Sequence, residues 1–165
     1  DGVTCEPVPS LGRGFSAPVK VAFDYSDAQL MHLLSHDSDG FNRWDASQTL
    51  LQRTLLNMVE QRQAGEGMQV PDELVGVMRA ALMDDQAEHA LIAEVLTLPG
   101  IGYLGDFMQT VDVDSLYLAR EMLRERVAEE LREDLLMRYE QLSDDGDYST
   151  DAAAMGRRSL KNTVL

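Results

Sequence analysis

Hydrophobic positions along this chain follow two rhythms. Between residues 19 and 25 they alternate: Val19, Val21, Phe23 and Tyr25 are separated by Lys20, Ala22 and Asp24, the period of a half-buried strand. From Ser26 onward the period lengthens to that of a helix and stays there. Leu30, Leu33 and Leu34 follow a Ser26 or Asp27 cap. Phe41, Trp44, Leu51, Leu55, Met58 and Val59 then share one stripe of a helix that runs to about Gln63, with Arg43, Arg53 and Glu60 facing elsewhere. Ala64-Gly65-Glu66-Gly67 stops it. An aromatic side chain removes roughly 150–250 Å² from water, so the pattern makes Phe41 and Trp44 packing residues and this helix the anchor of the core.

Pro71 opens the next helix, with Asp72 and Glu73 in the first turn, where the helix dipole favours acids. Leu74, Val77, Met78, Ala81 and Leu82 form its inner face. A helix over 87–98 ends at Pro99-Gly100, and a short helix or turn covers 103–109. Asp114 or Ser115 opens the longest helix, to about Leu142, with Leu123, Val127, Leu131, Leu135, Tyr139 and Leu142 at spacings of four and three. On its outer face Arg126 with Glu130, and Asp134 with Arg138, read as surface pairs. An acidic loop over 143–149 leads to a last helix begun by Thr150 or Asp151. The predicted fold is mainly α: an array or solenoid of antiparallel helix pairs, with a short β segment at the N-terminus. One strand cannot pair its own backbone. Either residues 11–16 supply a second strand, or the sheet lies outside this chain.

Length and composition suit one ordinary domain, or one domain with a fragment of another. With 44% hydrophobic and 26% charged residues, this is neither a disordered nor a membrane composition. No apolar run approaches the ~18 residues of a spanning helix. A net charge of −15 argues against nucleic acid and anionic membrane as partners, since both require a positive surface. Cys5 is alone, so no intrachain disulfide forms, which fits a reducing, cytoplasmic location. The chain does not begin with Met and is expected to be processed or excerpted.

Candidate chemistry is sparse. His32 and His36 have zinc-ligand spacing, but Leu33 stands where the zinc peptidase motif places its Glu base, and no third ligand follows. They read as surface or boundary histidines, and His89 as a solvated or capping one. Asp37, Asp39 and Gly40 do not make a calcium loop, because the glycine comes too early and Gln48 occupies the bidentate position. Asp144, Asp145 and Asp147 fail the same test. No nucleophile-base pair and no glycine-rich phosphate loop is present.

Several motifs in order carry a resemblance: Pro9-Ser10-Leu11, Arg13-Gly14-Phe15-Ser16-Ala17-Pro18-Val19, Phe41-Asn42-Arg43-Trp44-Asp45, Leu96-Thr97-Leu98-Pro99, and Arg158, Leu160, Lys161 and Asn162. Together they resemble the bacterial aminopeptidase N (alanyl aminopeptidase) family of the zinc metallopeptidase superfamily, across essentially all of residues 8–165. The resemblance implies that residues 1–25 end a β-sandwich domain and that residues 26–165 are the N-terminal part of a C-terminal α-helical domain.

It further implies a parent enzyme in which a zinc-bound water, with a Glu as base, removes N-terminal residues from peptides. The family's H-E-x-x-H site and G-x-M-E-N segment have no counterpart here. The expectation is therefore a chain with no catalytic residue and no metal site of its own, which helps enclose the cavity and restricts substrate access. Its partners are the upstream catalytic domain and the parent's peptide substrates, and the fragment is expected to self-associate. Arg158, Lys161 and Asn162 are candidates for a substrate-channel or interface face, with a solvated or capping face as the plain alternative. Phe41, Arg43, Trp44 and Asp45 are a structural motif, with Arg43 and Asp45 read as an ion pair. Asp45 stands where many relatives carry Glu. The rival reading is a stand-alone helical module that binds a protein or peptide in a groove.

Overall fold

The computed structural model describes residues 7–15, 22–143 and 148–165. Among them, eight α-helices and a 3-10 turn at Arg13–Phe15 make up the regular structure, and no strand forms. Residues 7–15 and 22–25, the described part of the expected β segment, form no strand. Gly12 and Gly14 adopt φ of 68° and 70°, a left-handed turn that glycine tolerates, so the chain turns where a pairing strand was expected. Residues 22–25 are irregular. There the Tyr25 hydroxyl donates to the Pro9 carbonyl (2.8 Å) and the Tyr25 carbonyl accepts from Arg53 Nη1 (2.7 Å), rather than from a ladder. Residues 16 and 19–21 lie outside the described residues.

Helix α1 (Asp27–His36) starts in a reciprocal cap between Ser26 and Gln29. Helix α2 (Gly40–Gln63) is capped by Asp39, whose carboxylate accepts from the Asn42 amide at 3.0 Å. It packs against α1, α4 (His89–Leu96) and α6 (Val113–Glu130), which makes it the axis of the array. Its inner face is Ala46, Leu50, Leu51, Leu55, Met58 and Val59. The Ser47 hydroxyl, buried among them, donates to the Val95 carbonyl at 2.6 Å. Phe41 and Trp44 are half-buried rather than buried, and the fully buried face of this helix begins with Asn42 and Ala46. They share the stripe, so periodicity includes them, but periodicity is silent on whether a neighbouring helix covers the first turns.

Helices α3 (Asp72–Leu82) and α5 (Ile101–Gly105) complete the first half. The single helix expected over 114–142 is two, α6 and α7 (Arg132–Gln141), bent at Leu131 (φ −104°, ψ 11°). Leu131 is buried at the bend. Arg79 of α3 reaches across it, donating from Nη2 to the Glu130 carbonyl (2.8 Å) and from Nε to Asp134 (2.9 Å). One of the last carbonyls of α6 thus gains a side-chain partner. Arg126 does pair with Glu130 at 2.9 Å. Arg138 does not pair with Asp134: it is 5% exposed and its Nη1 holds Asp85 at 2.8 Å.

Helix α8 (Ala152–Thr163) is capped by Asp151 through the Ala154 amide (2.8 Å) and lies on α4. A Cβ on Gly156 would stand 3.0 Å from the Ala90 backbone nitrogen, so glycine sets how closely the two helices approach. Leu160 and Val164 continue the buried face of α8.

Candidate functional site

The candidate residues fall at two places. The first is the start of α2, where helix geometry sends Arg43 back over the end of α1. Its Nε donates to the Leu34 carbonyl (2.9 Å), one of the acceptors a helix C-terminus leaves open. Its Nη1 pairs with Asp84 at 2.9 Å in the α3–α4 connection, with the Arg43 side chain 11% exposed. The expected Arg43–Asp45 pair is thus replaced by a bond to a residue 41 positions along (84 − 43). Burial pushes the Asp84 carboxyl up, but backbone amides at Gln86 and Ala87 and the hydrogen bond and charge of Arg43 outweigh it, and its pKa lies below the usual value.

Asp45 behaves in the opposite way. It reaches solvent, yet desolvation by the surrounding protein raises its pKa, and its charge helps raise that of Tyr25, after the larger effect of burial there. Phe41 and Trp44 stack beside one another, ring centroids 5.7 Å apart at 45°. The motif therefore combines a half-buried, tilted aromatic pair with a carboxylate that reaches solvent, and Arg43 turns inward as a brace.

The second place is α8. Arg158 and Lys161, three apart, lie on neighbouring positions of one face and fold back over the chain before the helix. Arg158 Nη1 donates to the Ser149 carbonyl (2.8 Å) and its guanidinium sits 4.8 Å from the centre of the Tyr148 ring. Lys161 Nζ donates to the Ser143 hydroxyl (2.9 Å) and lies 4.7 Å from the Tyr139 ring centre. Asn162 is exposed and lines a separate groove of about 500 Å³ with Leu82, Leu98, Leu131, Leu135 and Val164. The structure does not bring the three residues to one surface: two staple the α7–α8 connection and one edges an apolar groove.

His32 and His36 are exposed, their rings 4.9 Å apart. Among the described residues, no three His, Cys, Asp or Glu side chains gather in a way that would hold a metal ion. The Asp37–Asp39 turn instead receives Arg13 and the Gly14 amide. Sequence reasoning missed Arg13, Arg79 and Arg138 as long-range braces. Arg138 had a signal: it falls three after Leu135 and four before Leu142, a charge in line with the apolar stripe.

Stacked helices around a long central one, braced by arginines across their ends, define a helical-repeat array. The chain belongs to the family described as a domain of unknown function (DUF3458_C) with ARM repeats, which matches residues 27–165. It is similar to Aminopeptidase N of Escherichia coli, 34% identical over 100% of this chain and 19% of the relative. It is also similar to Aminopeptidase N of Caulobacter vibrioides, 38% identical over 98% of this chain and 18% of that protein. The crystal structure of Legionella pneumophila aminopeptidase A in complex with aspartic acid superposes with a TM-score of 0.78 at 28% identity, over 98% of this chain and 19% of that one. The chain thus spans about a fifth of the length of these curated relatives. The resemblance seen in the motifs holds along the whole chain. Among the described residues, no helix is long and apolar enough to cross a membrane.

Proposed function

We propose that this chain is a non-catalytic portion of a zinc-dependent aminopeptidase that removes N-terminal amino acids from peptides. In this reading residues 1–25 end a β-sandwich domain, and residues 26–165 begin a helical domain that helps enclose the active-site cavity and restricts access to it. Its partners are the upstream catalytic domain of the same chain and the peptide substrates, in a cytoplasmic protein. The observation that carries the reading is the pattern of coverage: 98–100% of this chain aligns with proteins named aminopeptidases, yet only 18–19% of each is involved. His32 and His36 offer two ligands where a catalytic zinc takes three from protein, so no step is routed through them.

A second reading, a stand-alone module that binds a peptide, draws on the apolar groove beside α8. Two samples separate the readings: this chain alone and the longer gene product containing it, each assayed on alanyl-p-nitroanilide and for bound zinc. The expected result is hydrolysis and stoichiometric zinc in the longer protein and neither in the chain. Zinc held by the chain and lost in His32→Ala, or a longer protein inert on every aminoacyl anilide, would overturn the proposal.

A further inference from the structure

The segment before the helices is fastened to the array by a cluster of polar contacts. Arg13 Nη1 donates to the Ser10 hydroxyl and to Asp37 Oδ1, both at 2.8 Å, and Nη2 donates to the Ser38 hydroxyl at 2.7 Å. The Gly14 amide donates to Asp39 Oδ2 at 2.8 Å, while the other oxygen of Asp39 caps α2. Asn42, buried on α2, reaches back to the Ser10 hydroxyl at 2.8 Å and to Asp37 Oδ2 at 3.4 Å. The Asp37 side chain is 1% exposed and also accepts from the Asp39 amide at 2.8 Å. A carboxylate this buried costs a great deal to leave unpaired, and Arg13 supplies the countercharge. Gly14 holds φ of 70° with open space around it, so its requirement for glycine comes from the turn and not from crowding.

These contacts join one residue stretch to the connection between two helices, and each fixes a direction as well as a distance. We propose that Ser10, Arg13 and Gly14, closed on the Asp37–Asp39 turn, form a clasp that sets the angle at which the preceding chain meets the helical array. Arg13 is its positioning residue. The proposal rests on the access-restricting reading for its consequence: an array held at a fixed angle excludes long substrates, and a loosened one admits them.

Two arms test it. In the first, amide exchange followed by mass spectrometry compares the longer gene product with its Arg13→Ala and Arg13→Lys variants. Hydrogen bonds to charged groups are strong enough that their loss is expected to speed exchange roughly tenfold or more over residues 9–14 and 37–42. Exchange in α4 and α8 should stay unchanged, and Arg13→Lys, which keeps a charge for Asp37 but loses the fork, should fall between. Unchanged exchange in those segments, or acceleration of every helix together, would overturn the clasp.

In the second arm, the longer gene product carrying Arg13→Ala is compared with wild type on an alanyl dipeptide and on a long unstructured peptide. The ratio of kcat/KM, long over short, is expected to rise about threefold, the scale of a modest conformational coupling, with kcat on the dipeptide unchanged. A constant ratio despite faster exchange would overturn the positioning role. If neither protein hydrolyses any peptide, the peptidase reading and the positioning role both fall, while the exchange arm still decides the clasp.

Discussion

The two ends of the array are held by different physics. At the α1–α2 end, Arg13, Asp37, Asp39, Asn42 and Arg43 link the lead-in, both helices and the α3–α4 connection through directional polar contacts. At the α4–α8 end, α8 packs on α4 with Gly156 against Ala90, and Leu160 and Val164 are buried apolar side chains. Hydrogen bonds between protein groups replace equally good bonds to water, so their net contribution is small while the geometry they impose is strict. Apolar burial contributes more per side chain and is non-directional. The first end is therefore built for orientation and the second for adhesion.

The difference has its largest expected effect at the apolar end. Leu160 is fully buried, and Leu160→Ala is expected to cost about 2–5 kcal/mol, read as a lower urea midpoint with little change between low and high salt. A cost under ~1 kcal/mol would mean that the site collapses around the missing atoms, and the contrast between the ends would shrink.

Asp37→Asn is the counterpart at the polar end, expected to cost about 1–3 kcal/mol at neutral pH because buried donors lose a charged acceptor. Unlike the first, it depends on pH. Burial pushes the Asp37 carboxyl up, but hydrogen bonds from Ser10, the Asp39 amide and Asn42, with the charge of Arg13, hold its pKa below the usual 3.8. The folded form thus binds its proton less tightly than the unfolded form. Its contribution is complete above about pH 5 and is lost as pH falls through the depressed value. Urea midpoints for wild type and Asp37→Asn should differ at pH 7 and converge in acid. A constant gap down to pH 3 would show that the charge of Asp37 is not what holds this end.

Local signals made the helices legible. Ser26 with Gln29, and Asp151, mark a start through bonds within one turn, and Pro71 with Asp72 and Glu73 marks one through a fixed backbone and first-turn charge. What the sequence did not disclose depends on distant residues. The bend at Leu131 is braced by Arg79, the partner of Arg43 is Asp84, and cover over Phe41 and Trp44 depends on which helix ends nearby. The candidate site shares that limit. Spacing placed Arg158 and Lys161 on one face, but not the Tyr148 and Tyr139 rings beneath them. The motifs that carried the family resemblance also held the clasp residues, because Ser10, Arg13, Gly14 and Asn42 lie within them.

The smallest expected effect sharpens the contrast within the polar end itself. Asp45 lies on α2 only three residues beyond Asn42 (45 − 42), yet desolvation raises its pKa where that of Asp37 is lowered. The sign of its linkage is reversed. The folded form now holds the proton more tightly than the unfolded form, so stability from this group falls as pH rises through the carboxylate range. At neutral pH its charge is a net cost, kept small because the side chain reaches solvent and is screened. Asp45→Asn is therefore expected to stabilise slightly at pH 7, within the ~0.5 kcal/mol usual for surface substitutions. The gain should shrink as pH falls through the carboxylate range and vanish below the usual 3.8, where the carboxyl is protonated in the folded and unfolded forms alike. Thermal melts of both proteins across that range would show a crossing pattern opposite to that of Asp37→Asn. A loss of stability at pH 7 would instead mean that the Asp45 carboxylate has a favourable partner in the folded form.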